Sequence, residues 1–368
     1  MLVNEITLDG FRNYDNVKAQ FVDGVNVICG RNAQGKTNLL EAVYYLAAAR
    51  SLRTASDKEM INFSRESACV RANIVSCGRQ QTLEARLVRG RRRELFANDV
   101  KLKNASELSG RLSAVQFGPD DLDIVKEGAA VRRKLMDNCI SQLRPGYLTA
   151  LTEYNRLYEH KARILRDYYE KPSLLELLDD YNLRMAQQGA KLIYYRSAFV
   201  VGLSRRAAEI HNEFSDGAEV MTIRYKTVGD MSVVGKKPDE ILPGLLEHQR
   251  ERREAELKSG SCLSGAHKDD LEIEVNSVSA RKFASQGQTR TASISIKLAE
   301  RDMHFDDRGE YPVLLLDDVL SELDSKRRSY ILGKITNGQV LITCCDEDVI
   351  SNAPGSAVLR VENGKVSN

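Results

Sequence analysis

Eight residues, Gly30-Arg31-Asn32-Ala33-Gln34-Gly35-Lys36-Thr37, fit G-x-x-x-x-G-K-[ST], a spacing suited to holding phosphate. Successive backbone N–H groups of such a loop curl around phosphate oxygens, and the helix that follows adds partial positive charge. Gly30 and Gly35 permit a close approach that a Cβ would obstruct. Lys36 is expected to reach the β- and γ-phosphates of a nucleoside triphosphate, with the Thr37 hydroxyl on Mg²⁺. A second pair, Asp317-Asp318, follows the apolar run Leu314-Leu315-Leu316. Ligands sit at the carboxyl ends of strands in open α/β sheets. There Asp317 would hold Mg²⁺ through water, and Asp318 would polarise a water attacking the γ-phosphate. A third stretch, Ser285-Gln286-Gly287-Gln288, stands before an amphipathic helix. Ser285 and the Gly287 backbone at a helix start make an anion site, and the same residues also suit a plain helix cap. One nucleotide in one subunit has no use for two phosphate cradles. A second cradle that meets the γ-phosphate of a partner's nucleotide would place two nucleotides between two subunits.

The flanking elements fit these roles. Val25 to Cys29 is a β-branched run that reads as a buried strand, and Asn38 to Leu46 is apolar at helical spacing. Up to about residue 120 the chain reads mainly as short alternating strands suited to an antiparallel sheet, among them Ile6 to Leu8, Val70 to Val75, Gln81 to Val88 and Glu94 to Phe96. Ser113 to Phe117 is a further strand, closed by Gly118-Pro119-Asp120. From Ala129 to about Lys258 the pattern is helical, with long spans at Tyr147 to Tyr169 and Leu174 to His211 and one strand-like interruption, Glu219 to Tyr225. The last third returns to α/β, with strands at Leu271 to Val275, Ser279 to Ala284, Val313 to Leu316 and Val340 to Thr343, a helix at Thr291 to His304 and a closing hairpin at Val358 to Val366. The expected organisation is one nucleotide-binding lobe split in sequence, 1–128 and 259–368, with a helical lobe, 129–258, inserted between its halves.

Composition sets the outer limits. The chain has 368 residues, 42% apolar and 29% charged, an ordinary globular balance with no apolar run long enough to span a bilayer. The first residues lack the basic-then-apolar layout of a signal peptide. Seven cysteines, an odd number without zinc spacing, suit small reduced core residues in a cytoplasmic protein. The net charge of +2 means that any affinity for nucleic acid must come from local clusters, such as Arg89 with Arg91-Arg92-Arg93, Arg132-Arg133-Lys134, Lys236-Lys237 and Arg250 with Arg252-Arg253. Tryptophan is absent and aromatics are 6%, which disfavours base-stacking platforms and favours duplex backbone contacts. His267 with Asp269-Asp270 could ligate a metal or fix a turn by hydrogen bonds.

In this order the motifs resemble the RecF family, bacterial recombination-mediator ATPases of the ABC/SMC-like group. The resemblance runs nearly end to end, through Leu8 to Tyr14, Gly30 to Thr37, Phe117 to Leu122, Arg132-Arg133, Gly265 to Leu271, Ser285 to Gln288 and Leu314 to Asp324. It implies an α/β fold, an ABC/SMC-like P-loop ATPase head with a mixed sheet, an antiparallel sub-sheet and an inserted compact α-helical lobe. It further implies ATP and Mg²⁺ as cofactors, ATP-dependent homodimerisation on double-stranded and gapped DNA, slow DNA-stimulated hydrolysis, cooperation with RecR and RecO, and loading of RecA at gaps. By the same resemblance Arg12 contacts phosphate or the base region, Gln116 couples the lobes through Mg²⁺, and Ser321 to Asp324 cross the dimer interface, Asp324 beside the nucleotide. Thr289 replaces a usual second glutamine after the signature, Asp318 stands where transporter ATPases carry glutamate, and Thr343 falls near their switch histidine. A transporter engine would need that histidine and a membrane-coupling surface, and an SMC-like tether would need long heptad arms. Neither is found in the sequence.

Overall fold

Strands form where the sequence alternates or runs apolar, and the two patterns separate into different sheets. In this computed structural model, residues 1–54, 56–345 and 357–367 are described. The strands are β1 Leu2–Phe11, β2 Tyr14–Gln20, β3 Val25–Cys29, β4 Ser67–Ser76, β5 Arg79–Val88, β6 Glu94–Ala97, β7 Val100–Lys101, β8 Ala114–Phe117, β9 Met221–Lys226, β10 Asp270–Val275, β11 Val278–Ser279, β12 Val313–Asp317, β13 Val340–Cys344, β14 Ala357–Glu362 and β15 Lys365–Ser367. The α-helices are α1 Lys36–Ala48, α2 Ala105–Leu108, α3 Ala129–Leu143, α4 Pro145–Asp167, α5 Leu178–Phe214, α6 Pro238–Ser259, α7 Ala280–Phe283, α8 Gln286–Arg308 and α9 Ser325–Lys334. Among the described residues, no helix is long and apolar enough to cross a membrane.

The chain divides into two units, Met1–Leu122 with Lys297–Asn368, and Asp123–Ile296. In the first unit the alternating strands make an antiparallel sheet in the order β2-β1-β4-β5-β6-β7. The apolar runs make a second sheet, β15-β14-β3-β13-β12-β8, parallel from β14 to β8. Every residue of β12 and of β13 is buried, as a strand covered on both faces requires. Helix α1 is buried from Leu39 to Ala48 and belongs to the apolar core that includes Ile28, Leu315 and Leu341. Truncating Leu315 to alanine there would cost about 2–5 kcal/mol.

The second unit holds α3 to α7, the first part of α8 and a small antiparallel sheet ordered β11-β10-β9. It reaches Ile296, beyond the Lys258 at which the sequence reading ends the helical segment. The reason is pairing: β10 bonds to β9 over Asp270↔Lys226 to Val275↔Met221, so residues 259–296 return to the strand that interrupts the helices. The expected strand at Ser279 to Ala284 is instead the two-residue β11 followed by the helical turn α7. Helix α8 starts five residues earlier than the periodicity indicates, at Gln286, inside the Ser285 to Gln288 stretch.

Candidate functional site

The loop Gly30 to Gly35 joins β3 to α1, and its shape is fixed from both sides. The Asn13 amide donates to Gln34 O at 2.8 Å, and the Tyr14 hydroxyl donates to Gly35 O at 2.9 Å. Gly35 has φ +121, and a Cβ there would lie 2.7 Å from Asn13 Nδ2 and 2.9 Å from the Tyr14 hydroxyl. A Cβ on Gly30 would collide with the Val361 carbonyl of the neighbouring β14. Lys36 is 4% exposed, and its ammonium donates to Gly30 O at 2.6 Å and Arg31 O at 3.2 Å, with Cys345 Sγ at 3.5 Å. The Cys345 thiol in turn donates to Asn32 Oδ1 at 3.0 Å. Ala33, at the loop's crest, has φ 64.

Parallel pairing brings the carboxylates to this loop. Strand β12 lies beside β13, which lies beside β3, so Asp317 is level with Thr343 and Thr343 with Ile28. The Thr37 hydroxyl donates to Asp317 Oδ1 at 2.9 Å, and the Thr343 hydroxyl donates to the same oxygen at 3.0 Å. Burial pushes the Asp317 carboxyl above its usual range, the two hydroxyl donors act against that, and the nearby Asp318 carboxylate adds to it. Asp318 has left the strand with a left-handed backbone, φ 51 and ψ 7, and its N–H donates to Thr343 Oγ1 at 2.8 Å. Thr343 therefore orients both acidic residues, a role the sequence does not reveal. Its signals, a polar residue closing an apolar run and a place near the expected switch position, gain meaning only once the register of β12 and β13 is known.

The other expected site residues make contacts of their own. Arg12, at φ 54, makes two hydrogen bonds to the buried Glu41 carboxylate, at 2.9 and 2.7 Å, and donates to Glu59 O at 2.7 Å. Its guanidinium braces α1. Gln116 lies in β8 opposite Leu315, two residues before the level of Asp317. Asp324 caps α9, accepting from Arg327 N at 2.9 Å and pairing with the Arg327 guanidinium, and these contacts hold its carboxyl below the usual range.

Ser285, Gly287 and Gln288 belong to the second unit, at the start of α8. Ser285 N donates to Gln288 Oε1 at 2.9 Å and Gln288 N donates to Ser285 Oγ at 3.2 Å, a reciprocal cap on the helix. His267, Asp269 and Asp270 are taken up by tertiary contacts. Asp269 is wholly buried, pairs with Arg196 at 3.0 Å and accepts from the Tyr225 hydroxyl at 2.5 Å. Asp270 takes two hydrogen bonds from Arg132, and the His267 ring meets the Tyr154 hydroxyl and Cys262 O.

The chain matches the RecF/RecN/SMC N-terminal domain family over residues 2–368. It is 36% identical to a DNA replication and repair protein RecF of Acetivibrio thermocellus, over 99% of each chain. Two solved structures of the recombination mediator protein RecF in the RecFOR pathway are similar to it. The one described as RecF-ATPrS has a TM-score of 0.92 at 33% identity, covering 100% of this chain and 97% of the other. The one described as RecF-ATP has a TM-score of 0.89 at 34% identity, covering 99% and 96%. A glycine loop held by Asn13 and Tyr14, paired carboxylates at a strand end and likeness along the whole sequence agree, and the chain belongs to the RecF family of DNA replication and repair proteins.

Proposed function

We propose that the protein is an ATP-dependent recombination mediator in which nucleotide controls assembly. The observation that carries this reading is the Thr37–Asp317 pair, 2.9 Å apart and seated beside the Lys36 ammonium's loop. Mg²⁺ prefers hard oxygen ligands, and a hydroxyl beside a buried carboxylate whose acidity burial has weakened suits it. Thr37 and Asp317 would hold that ion, which supplies neutralisation of phosphate charge. Residues 30–37 wrap the phosphates with backbone N–H groups, and Lys36 leaves the loop carbonyls to meet the β- and γ-phosphates. Asp318 accepts a proton from the attacking water, and Thr343 fixes its backbone. The first unit acts as the ATPase lobe and the second as the helical lobe. Ser285, Gly287 and Gln288 of one subunit face the γ-phosphate held by another, with Asp324 at the same interface.

A triphosphate shared in this way binds the closed dimer better than the monomer, which is the differential interaction a switch needs. Hydrolysis removes the bridge and the dimer opens. In this reading the dimer grips duplex DNA near gaps in the cytoplasm, hydrolysis is slow and DNA-stimulated, and RecR and RecO join it in loading RecA. The Asp318→Asn protein tests the switch. Sedimentation with ATP should show a persistent dimer with little phosphate release. A monomer at saturating ATP, with nucleotide bound, would refute the shared site.

A further inference from the structure

The cap at the start of α8 is not self-contained. Gln288 gives its Oε1 to Ser285 N, and its Nε2 donates to Glu219 Oε1 at 2.8 Å. The second oxygen of Glu219 meets His211 Nε2 at 3.0 Å. His211 is wholly buried near the end of the 37-residue helix α5. Its Nδ1 lies 3.5 Å from Ser295 Oγ, whose own proton goes to Thr291 O at 2.9 Å on α8. Glu219 is also tied at its backbone, donating to the Ser215 hydroxyl at 3.2 Å. A carboxylate held at the end of one helix thus fixes the amide orientation of Gln288 at the start of another.

That orientation has consequences. With Nε2 committed to a carboxylate, Oε1 must face Ser285 N, because an amide turned by 180° would set two acceptors against each other. Gln288 N in turn occupies one lone pair of Ser285 Oγ, and the hydroxyl keeps a proton that it can donate to an anion. Without the carboxylate the Ser285 N–H still favours the same amide face, but the side chain loses the second anchor that holds it there.

We infer that Glu219 is a positioning residue for the Ser285 to Gln288 cradle, held by His211, and that it sets this cradle's competence toward a partner subunit's triphosphate. This rests on the shared-site reading above. Glu219 touches no nucleotide in this account and acts only through Gln288.

The test separates nucleotide capture by residues 30–37 from dimer closure. For Glu219→Ala, binding of a fluorescent ATP analogue should stay within about twofold of wild type, while the ATP needed for half-maximal dimerisation rises about tenfold, as for one lost charge-assisted hydrogen bond. Glu219→Gln keeps an acceptor for Gln288 and should recover most of the loss. Gln288→Ala removes the same link from the other side, and the double variant should be no worse than either single one. Mixing Glu219→Ala with Lys36→Ala should restore ATPase activity above either protein alone. The mixed dimer pairs an intact phosphate loop with an intact cradle. Failure of that mixing to restore activity would overturn the inference, since the defect would then lie outside the cradle. Wild-type dimerisation alongside an equally competent Glu219→Ala overturns the inference alone. A wild-type protein that stays monomeric with ATP overturns the shared-site reading and this inference with it.

Discussion

Replacing Thr343 by valine keeps the volume of a buried side chain and removes one oxygen, so it isolates what that oxygen does. Two contacts go. Asp317 Oδ1 loses one of its two hydroxyl donors, and the Asp318 N–H loses its acceptor. A hydrogen bond to a charged group contributes about 1.5–3 kcal/mol, and a buried N–H left unpaired costs about 1–3 kcal/mol. Thr343 is 2% exposed, so water cannot easily replace the oxygen. Thr37 still serves Asp317, however, which places the expected loss toward the lower part of the range, about 2.5–4 kcal/mol. The consequence for catalysis is separate. Asp318 sits in a left-handed turn, and under the proposed catalytic role its carboxylate, without that anchor, would wander from the line of attack. A misplacement approaching 1 Å lowers kcat roughly tenfold to a hundredfold. Urea unfolding followed by far-UV dichroism gives the first number and steady-state phosphate release at saturating ATP gives the second. Thr343→Ser keeps the oxygen and should lie close to wild type in both. If Thr343→Val unfolds within about 0.5 kcal/mol of wild type and turns over normally, neither acidic residue depends on this threonine.

Two further outcomes follow from local geometry. Burial lowers the His267 ring to about 4 from 6.5, so the unfolded chain binds its proton first as pH falls. This histidine's contribution is therefore complete above pH 6.5 and erodes toward pH 4, amounting to about 2 kcal/mol lost by pH 5. His267→Gln should flatten that part of the pH dependence in urea titrations, and an unchanged slope would refute the assignment. Gly35→Ala must hold φ near +121 and press on Asn13 and Tyr14. Nucleotide binding measured by calorimetry should fall at least about tenfold, and an alanine variant that binds normally would show that the brace yields.

The elements that carry the candidate residues are readable in the sequence because they are short and contiguous. Gly30 to Thr37 carry their own strand and helix, and Leu314 to Asp318 show a buried strand ending in acids. The order of patterns suggests a lobe split at residues 128 and 259, and the first unit is split at Leu122 and Lys297. What escaped depends on register and distance. Thr343 aligns with Asp317 only through β12↔β13 pairing, and its signals in the sequence do not reveal that alignment. The partnership of β9 with β10 joins segments more than forty residues apart, which moves the end of the second unit to Ile296. By resemblance Arg12 is expected at phosphate or the base region, and the contact no motif announces is its pairing with the buried Glu41 carboxylate, one helical turn beyond Thr37. A carboxylate on the inner side of an otherwise apolar helix was the available sign that a cation comes to it.

The strand order β14-β3-β13-β12-β8 also bears on how the chain is made. Strand β3 leaves the ribosome early, yet both neighbours that flank it, β13 and β14, are translated some 300 residues later. At about 5–20 residues per second that delay lasts roughly 15–60 s. During it, Asp123–Ile296 is continuous and can collapse by itself, whereas the apolar edges of β3 have no mate. Nascent chains halted before Val340 should therefore carry a protease-sensitive amino-terminal portion beside a resistant middle, and ribosome-associated chaperones should be retained until the carboxy-terminal strands arrive.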